Sequence, residues 1–126
     1  MTFLDTSALV DSLTGPKRSA PALRRTLDHG EQILISSMVF YEWLRGPRLP
    51  EELIAQEELF PREMIVPFGP QEAALSAKLY RSLGRARGRE FDIGIAACAI
   101  AREAELWTLN RADFKDIPGI RLSTIA

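Results

Sequence analysis

The chain has 126 residues, 46% of them hydrophobic and 26% charged, with a formal net charge of −1. That length suits one domain whose folding buries roughly two-thirds of the surface an unfolded chain exposes, and the composition is that of an ordinary globular protein. The near-zero net charge excludes a global pull on polyanions, so a nucleic-acid function needs a local basic patch or bound cations.

In chain order, Thr2 to Asp5 reads as a short buried strand, and Thr6-Ser7-Ala8-Leu9-Val10 opens a helix that Gly15-Pro16 breaks. A second helix is expected from Ala20 to Asp28, stopped by Gly30 with His29 in its C-terminal cap. Gln32 to Ile35 is an apolar strand. Ser36-Ser37 then caps a helix carrying Val39, Phe40, Trp43 and Leu44 on one face, and Gly46-Pro47 ends it. Leu49 to Phe60 is expected to be amphipathic, with Leu53, Ile54, Ala55 and Leu59 inward.

Met64 to Pro67 is a third strand, and Gly69-Pro70 turns the chain into a long helix through Leu75, Leu79 and Leu83. Gly84-Arg85-Ala86-Arg87-Gly88-Arg89 is a basic connection, followed by the most apolar helix, Phe91 to Glu103. Cys98 falls inside that helix and reads as a small core residue. With one Cys and one His, no intrachain disulfide can form, and a zinc site or Ser-His-Asp triad has little to work with. Leu106 to Leu109 and Ile120 to Ile125 supply a fourth and a fifth strand.

Strands alternating with helices predict an α/β fold in three layers, a central mainly parallel sheet of about five strands flanked by helices. No linker, repeat or low-complexity tract divides residues 1–126, so a single domain is expected. The start lacks a basic segment followed by a long apolar one, and no stretch is apolar enough to span a membrane; a cytoplasmic location is expected.

Asp5, Glu42, Asp92, Asn110 and Asp113 each fall where a predicted strand ends or beside a helix start. In a parallel sheet such places converge on one edge. Each has a bland reading: Asp5 as a helix cap, Glu42 as an exposed acid, Asp92 as a charge in a first helical turn, Asn110 and Asp113 as turn residues. Together they make a repelling cluster unless a cation or shared protons intervene. Three or four carboxylates can hold Mg²⁺ or Mn²⁺, ions that favour oxygen ligands and promote phosphodiester hydrolysis. Arg85, Arg87 and Arg89, just upstream of Asp92, are candidate RNA phosphate contacts; the alternative is a solvated loop.

Phe3-Leu4-Asp5-Thr6-Ser7, Phe40-Tyr41-Glu42-Trp43-Leu44-Arg45-Gly46, Phe91-Asp92-Ile93-Gly94-Ile95-Ala96-Ala97 and Thr108-Leu109-Asn110-Arg111-Ala112-Asp113-Phe114 resemble the motifs of PIN-domain proteins. More narrowly, the chain is similar to VapC-type toxins of toxin–antitoxin modules, from Phe3 to about Leu122. The resemblance implies a Mg²⁺- or Mn²⁺-dependent endoribonuclease, typically a homodimer, blocked by a cognate antitoxin protein. It implies metal binding and catalysis by Asp5, Glu42 and Asp92, with Asp113 or Asn110 at a fourth, more variable position. It also implies support of the site by Thr6, Ser7 and Thr108. Two departures stand out: Asn110 occupies a position often held by Asp in the family, and the tail Ser123-Thr124-Ile125-Ala126 lacks a proline-containing ending.

Two other readings are weaker. An aspartyl phosphotransferase built on Asp5 wants a carboxylate two residues on, where Ser7 stands, and a signalling receiver wants an Asp where Pro67-Phe68-Gly69 lies. A degenerate PIN-like or other α/β binding domain without catalysis is the remaining alternative.

Overall fold

All three residues of β1 (Thr2–Leu4) are buried, because this strand is the middle of the sheet. The computed structural model describes residues 1–125; Ala126, the last residue of the tail noted above, lies outside the described residues. β2 (Ile33–Leu34) and β3 (Glu105–Trp107) flank β1, both parallel to it, in the order β2-β1-β3. Thr2 stands opposite Ile33 on one side and Glu105 on the other, and Leu4 opposite Trp107. Parallel neighbours cannot be joined by a hairpin, so each link is a crossover carrying helices.

The first crossover holds α1 (Thr6–Leu13) and α2 (Ala20–Asp28). The second holds α3 (Ser37–Arg45), α4 (Pro50–Leu59), α5 (Pro70–Ser82) and α6 (Glu90–Ala101) before the chain returns as β3. Local chemistry sets their ends. The Ser36 hydroxyl accepts from the Val39 N–H to cap α3, while Pro occupies the first turn of α2, α4 and α5. Gly30 stops the chain after α2 at φ 82°, a left-handed conformation that costs glycine little.

The α/β architecture is as expected, but the sheet is narrower. Met64–Pro67 and Ile120–Ile125 do not form strands; each contributes one parallel bridge, Val66 beside Ser36 and Leu122 beside Leu106. Proline is the physical reason on the first side, since Pro67 has no N–H to continue the ladder, and a 3-10 turn over Arg62–Met64 occupies the approach. On the other side the bend at Pro118-Gly119, with Gly119 at φ 87°, delays the chain's arrival.

α4 also departs from its expected orientation. Leu53, Ile54 and Leu59 are exposed, and its one buried residue is Gln56, whose amide donates to the Phe60 carbonyl at 3.1 Å. Phe60, just past the helix, is buried in the core.

The core runs through Phe3, Leu4, Leu106 and Trp107 of the sheet into Leu9, Trp43, Ile93, Ile95, Phe114 and Ile117. α6 is buried from Ile93 to Ala99, Cys98 included. Two devices fix it. Gly94 faces Met38 so closely that a Cβ there would collide with the Met38 sulfur, which brings α3 hard against α6. Glu72, buried in α5, accepts from the Gly69 N–H at 2.9 Å and from Arg102, just past α6, at 2.7 Å. Glu42 and Asp92 therefore project from two helices with little freedom to drift apart.

Candidate active site

Asp5 is the first residue beyond the central strand, and its N–H still donates to the Trp107 carbonyl at 2.9 Å, extending the ladder by one bond. It occupies the capping position of α1, yet its carboxylate caps nothing there. Oδ2 instead accepts from the hydroxyls of Thr108 at 2.7 Å and Ser7 at 2.8 Å. Thr108 is the first residue after β3, so adjacent parallel strands deliver both partners to the same edge. The Ser7 oxygen also accepts from the Leu109 N–H, and the Thr108 oxygen from the Asn110 N–H. This closed network, and not a helix cap, holds the Asp5 carboxylate: the residue is only 4% exposed and lines a cleft.

Glu42 is not the freely solvated acid that its helix position permits. Oε1 accepts from the Thr6 hydroxyl at 2.5 Å, and Oε2 accepts from Arg45 at 3.3 Å. Asp92 lies in the first turn of α6, half-buried, and no hydrogen bond reaches its carboxylate among the described residues. Burial above all, then the negative charges of Asp5, Asp113 and Glu42, push its pKa up to about 6, against a smaller opposing pull from Arg89. Carboxylates that repel in this way are sharing one electrostatic site.

Asp5, Thr6, Ser7, Glu42, Asp92 and Asn110 line one open cleft of about 510 Å³ at the carboxyl edge of the sheet. Asp113 does not line it. It ends an exposed 3-10 turn, Arg111–Asp113, close enough to raise the pKa of Asp92 through space. Glu90 is turned away, accepting from the Gly88 N–H at 3.0 Å.

The basic run splits. Arg85 and Arg87 are exposed on the connection before α6. Arg89 is engaged: it clamps Asp116 through two nitrogens at 2.6 and 2.9 Å and donates to the Asp113 carbonyl at 2.9 Å. Sequence position alone treated the three arginines alike. The signal that separates them is Asp116, an acid in the turn after β3 that folding brings beside the start of α6.

As placed, no three His, Cys, Asp or Glu side chains among the described residues converge tightly enough to enclose an ion. The donors nevertheless fit a hard divalent cation. They are all oxygen, with Asp5 Oδ1 and both oxygens of Asp92 free of hydrogen bonds among the described residues. An added positive charge would relieve the repulsion that raises the Asp92 pKa.

The family model described as the PIN domain matches residues 2–120. The chain belongs to the PIN domain family. Within it, the chain is 33% identical over 124 residues to Ribonuclease VapC19 of Mycobacterium tuberculosis, covering 96% of this chain and 98% of that protein. It superposes on the DNA-bound VapBC structure from Salmonella typhimurium with a TM-score of 0.80 and 26% identity, covering 97% of this chain and 96% of that one. A toxin–antitoxin complex from Klebsiella pneumoniae aligns with a TM-score of 0.71 and 25% identity over 95% of each chain. The likeness to these PIN domains runs nearly end to end, spanning every strand and helix that lines the cleft.

Proposed function

We propose that this PIN domain is a divalent-metal-dependent endoribonuclease, the toxin of a toxin–antitoxin pair, and that Asp5, Glu42, Asp92 and Asp113 form its catalytic site. One observation carries the reading: acids from positions 5, 42 and 92 meet in one cleft, where burial first and their negative charges second raise the pKa of Asp92. The relatives support it, since one is a ribonuclease by name and the solved neighbours are toxin–antitoxin assemblies. A single domain in the cytoplasm, acting on RNA, restrained by a cognate antitoxin and paired as a homodimer, completes the proposal.

Asp5, Asp92 and Glu42 would hold Mg²⁺ or Mn²⁺, with Asn110 and Asp113 at the margin. Such an ion, when bound, makes water an effective nucleophile near neutral pH and offsets charge building on the phosphate. The chain's own residues do the rest. Thr108 and Ser7 both donate to Asp5 Oδ2, which leaves Oδ1 as the oxygen available to a cation. Thr6 and Arg45 hold Glu42 from either oxygen. Asp92 has no hydrogen-bond donor competing for it among the described residues, so below about pH 6 it keeps a proton that cation binding must displace. Asn110 brings a neutral amide where a further acid would add repulsion, which favours one tightly held ion over two. Arg85 and Arg87 are the free cations for phosphate contact, and Arg89 serves to brace the turn bearing Asp113.

Cleavage of a mixed RNA pool by purified protein, with Mg²⁺, with Mn²⁺ and with chelator, tests the reading beside an Asp5→Asn control. Metal-dependent cutting lost in the control is expected. Absence of cutting by folded protein free of antitoxin would favour the alternative of a degenerate domain.

A further inference from the structure

Two aromatic residues adjoin acids of the cleft in sequence, and Arg45 links their rings to Glu42. Tyr41 immediately precedes Glu42 on α3, and Phe91 immediately precedes Asp92 on α6. Their ring centroids are 5.7 Å apart at an interplanar angle of 44°. The Arg45 guanidinium lies over both, 5.2 Å from the Tyr41 centroid and 5.6 Å from that of Phe91. Such a group is commonly a piece of core. This one is not: Tyr41 is 53% exposed and Phe91 38%.

Both rings stay partly in water beside charged groups, covered on one side by each other and by Arg45. Arg45 is only loosely held, since its ion pair with Glu42 at 3.3 Å is more than half exposed on the arginine side.

We propose that Tyr41, Phe91 and Arg45 form a stacking platform for an unpaired base next to the phosphodiester that is cut. This inference rests on the ribonuclease reading and adds to it a subsite for one splayed base. Three features select that ligand. Exposed ring faces accept any base, and a guanidinium can lie flat on a base or turn to a phosphate. The rings are each one residue from an acid of the cleft, so a base held there has its own phosphate near the carboxylates. A duplex keeps its bases stacked and presents none to the platform. The platform therefore imposes strand state rather than base identity, because stacking is tolerant of sequence.

The test measures cleavage kinetics on a mixed-sequence single-stranded RNA pool, with inhibition by a short single-stranded RNA and by its abasic counterpart. The wild type should be inhibited better by the strand that carries bases. Tyr41→Ala and Phe91→Ala should raise KM about tenfold or more, in line with alanine substitutions at stacking sites, and erase the advantage of bases over abasic strand. Tyr41→Phe and Phe91→Trp should retain both properties, separating stacking from collapse of the site. Size-exclusion chromatography with light scattering accompanies each variant. Unchanged KM and an unchanged base advantage in the alanine variants would overturn the platform while leaving the nuclease standing. A KM change accompanied by loss of self-association would assign the rings to a second copy of the chain and likewise overturn it. Failure of the wild type to cut or bind RNA would remove the ribonuclease reading, and the platform with it.

Discussion

Thr108 donates its hydroxyl hydrogen to Asp5 Oδ2 across the junction of β3 and β1, with 2.7 Å between the oxygens of residues 103 positions apart. Both residues stand one step past their strands, so the register of the sheet sets the orientation of the carboxylate. Thr108→Val keeps the shape and removes the donor. It leaves Asp5 with Ser7 alone and strips the Asn110 N–H of its acceptor. The expected result is a stability loss of about 1–3 kcal/mol, typical of an unsatisfied buried group, and a fall in kcat larger than any change in KM. Thr108→Ser should restore most of both, as read by denaturant titration and RNA cleavage.

Asp92 should make the metal-free protein less stable as pH rises. Its folded-state pKa of about 6 exceeds the unfolded value near 3.8, so the folded chain binds more protons between those values. Stability then falls as pH climbs from about 4 to 6 and stays low above that. Allowing for its partial exposure, the effect is on the order of 1–2 kcal/mol. Asp92→Asn should abolish cleavage yet be more stable than wild type in chelator at pH 7, and the two should converge near pH 4. Melting curves across that range check the sign.

Mg²⁺ or Mn²⁺ should raise the melting temperature of the wild type, because an ion that binds only the folded state stabilises it by mass action. Asp5→Asn should blunt the shift, and chelator should reverse it. Isothermal titration would report the proton released as Asp92 ionises, larger below about pH 6 and fading above it.

Glu72 has the opposite pH sign. Its hydrogen bond from Arg102 holds its pKa below the usual carboxylate value, so its contribution is present at neutral pH and is lost as pH falls through that depressed value. The acid's side chain is 5% exposed and the arginine's 31%. Arg102→Leu strands the acid and should cost about 3 kcal/mol. The double variant Arg102→Leu with Glu72→Leu should recover much of that loss, which a double-mutant cycle in urea would measure.

Arg85→Ala with Arg87→Ala should weaken RNA binding across sequences and flatten its dependence on salt, by a slope change of roughly one per lost phosphate contact. Arg89→Ala should act differently. Freeing Asp116 and the Asp113 carbonyl should loosen the turn and lower stability, with less effect on the salt slope.

The sequence made the order of helices and strands legible because Pro and Gly punctuate it so clearly; Ala20–Asp28 forms over the expected span. Strand length was harder. Val66 and Leu122 sit at the sheet edges as expected, but neighbouring prolines reduce each to a single bridge, a tertiary outcome that local apolar character does not encode. The same limit applies to α4, whose leucines have the spacing of a buried face yet lie exposed while Phe60, just past the helix, is buried. The acids were legible as strand-end and helix-start residues. Their hydroxyl partners could be named but not paired, since Thr6 with Glu42 and Thr108 with Asp5 are contacts between distant parts of the chain. Arg89 was misjudged for the same reason: its partner, Asp116, lies 27 residues on.

The spacing of the Asp5–Thr108 pair bears on how the protein is made. Synthesis delivers Asp5 almost at once and Thr108 near the end, and β3 cannot dock on β1 until α6 has been laid down. Contacts so distant in sequence close late in folding. A nascent or truncated chain ending before β3 therefore carries Asp5, Glu42 and Asp92 without the hydroxyl that aims the first of them. The complete cleft, with its first carboxylate aimed, exists only in the finished molecule.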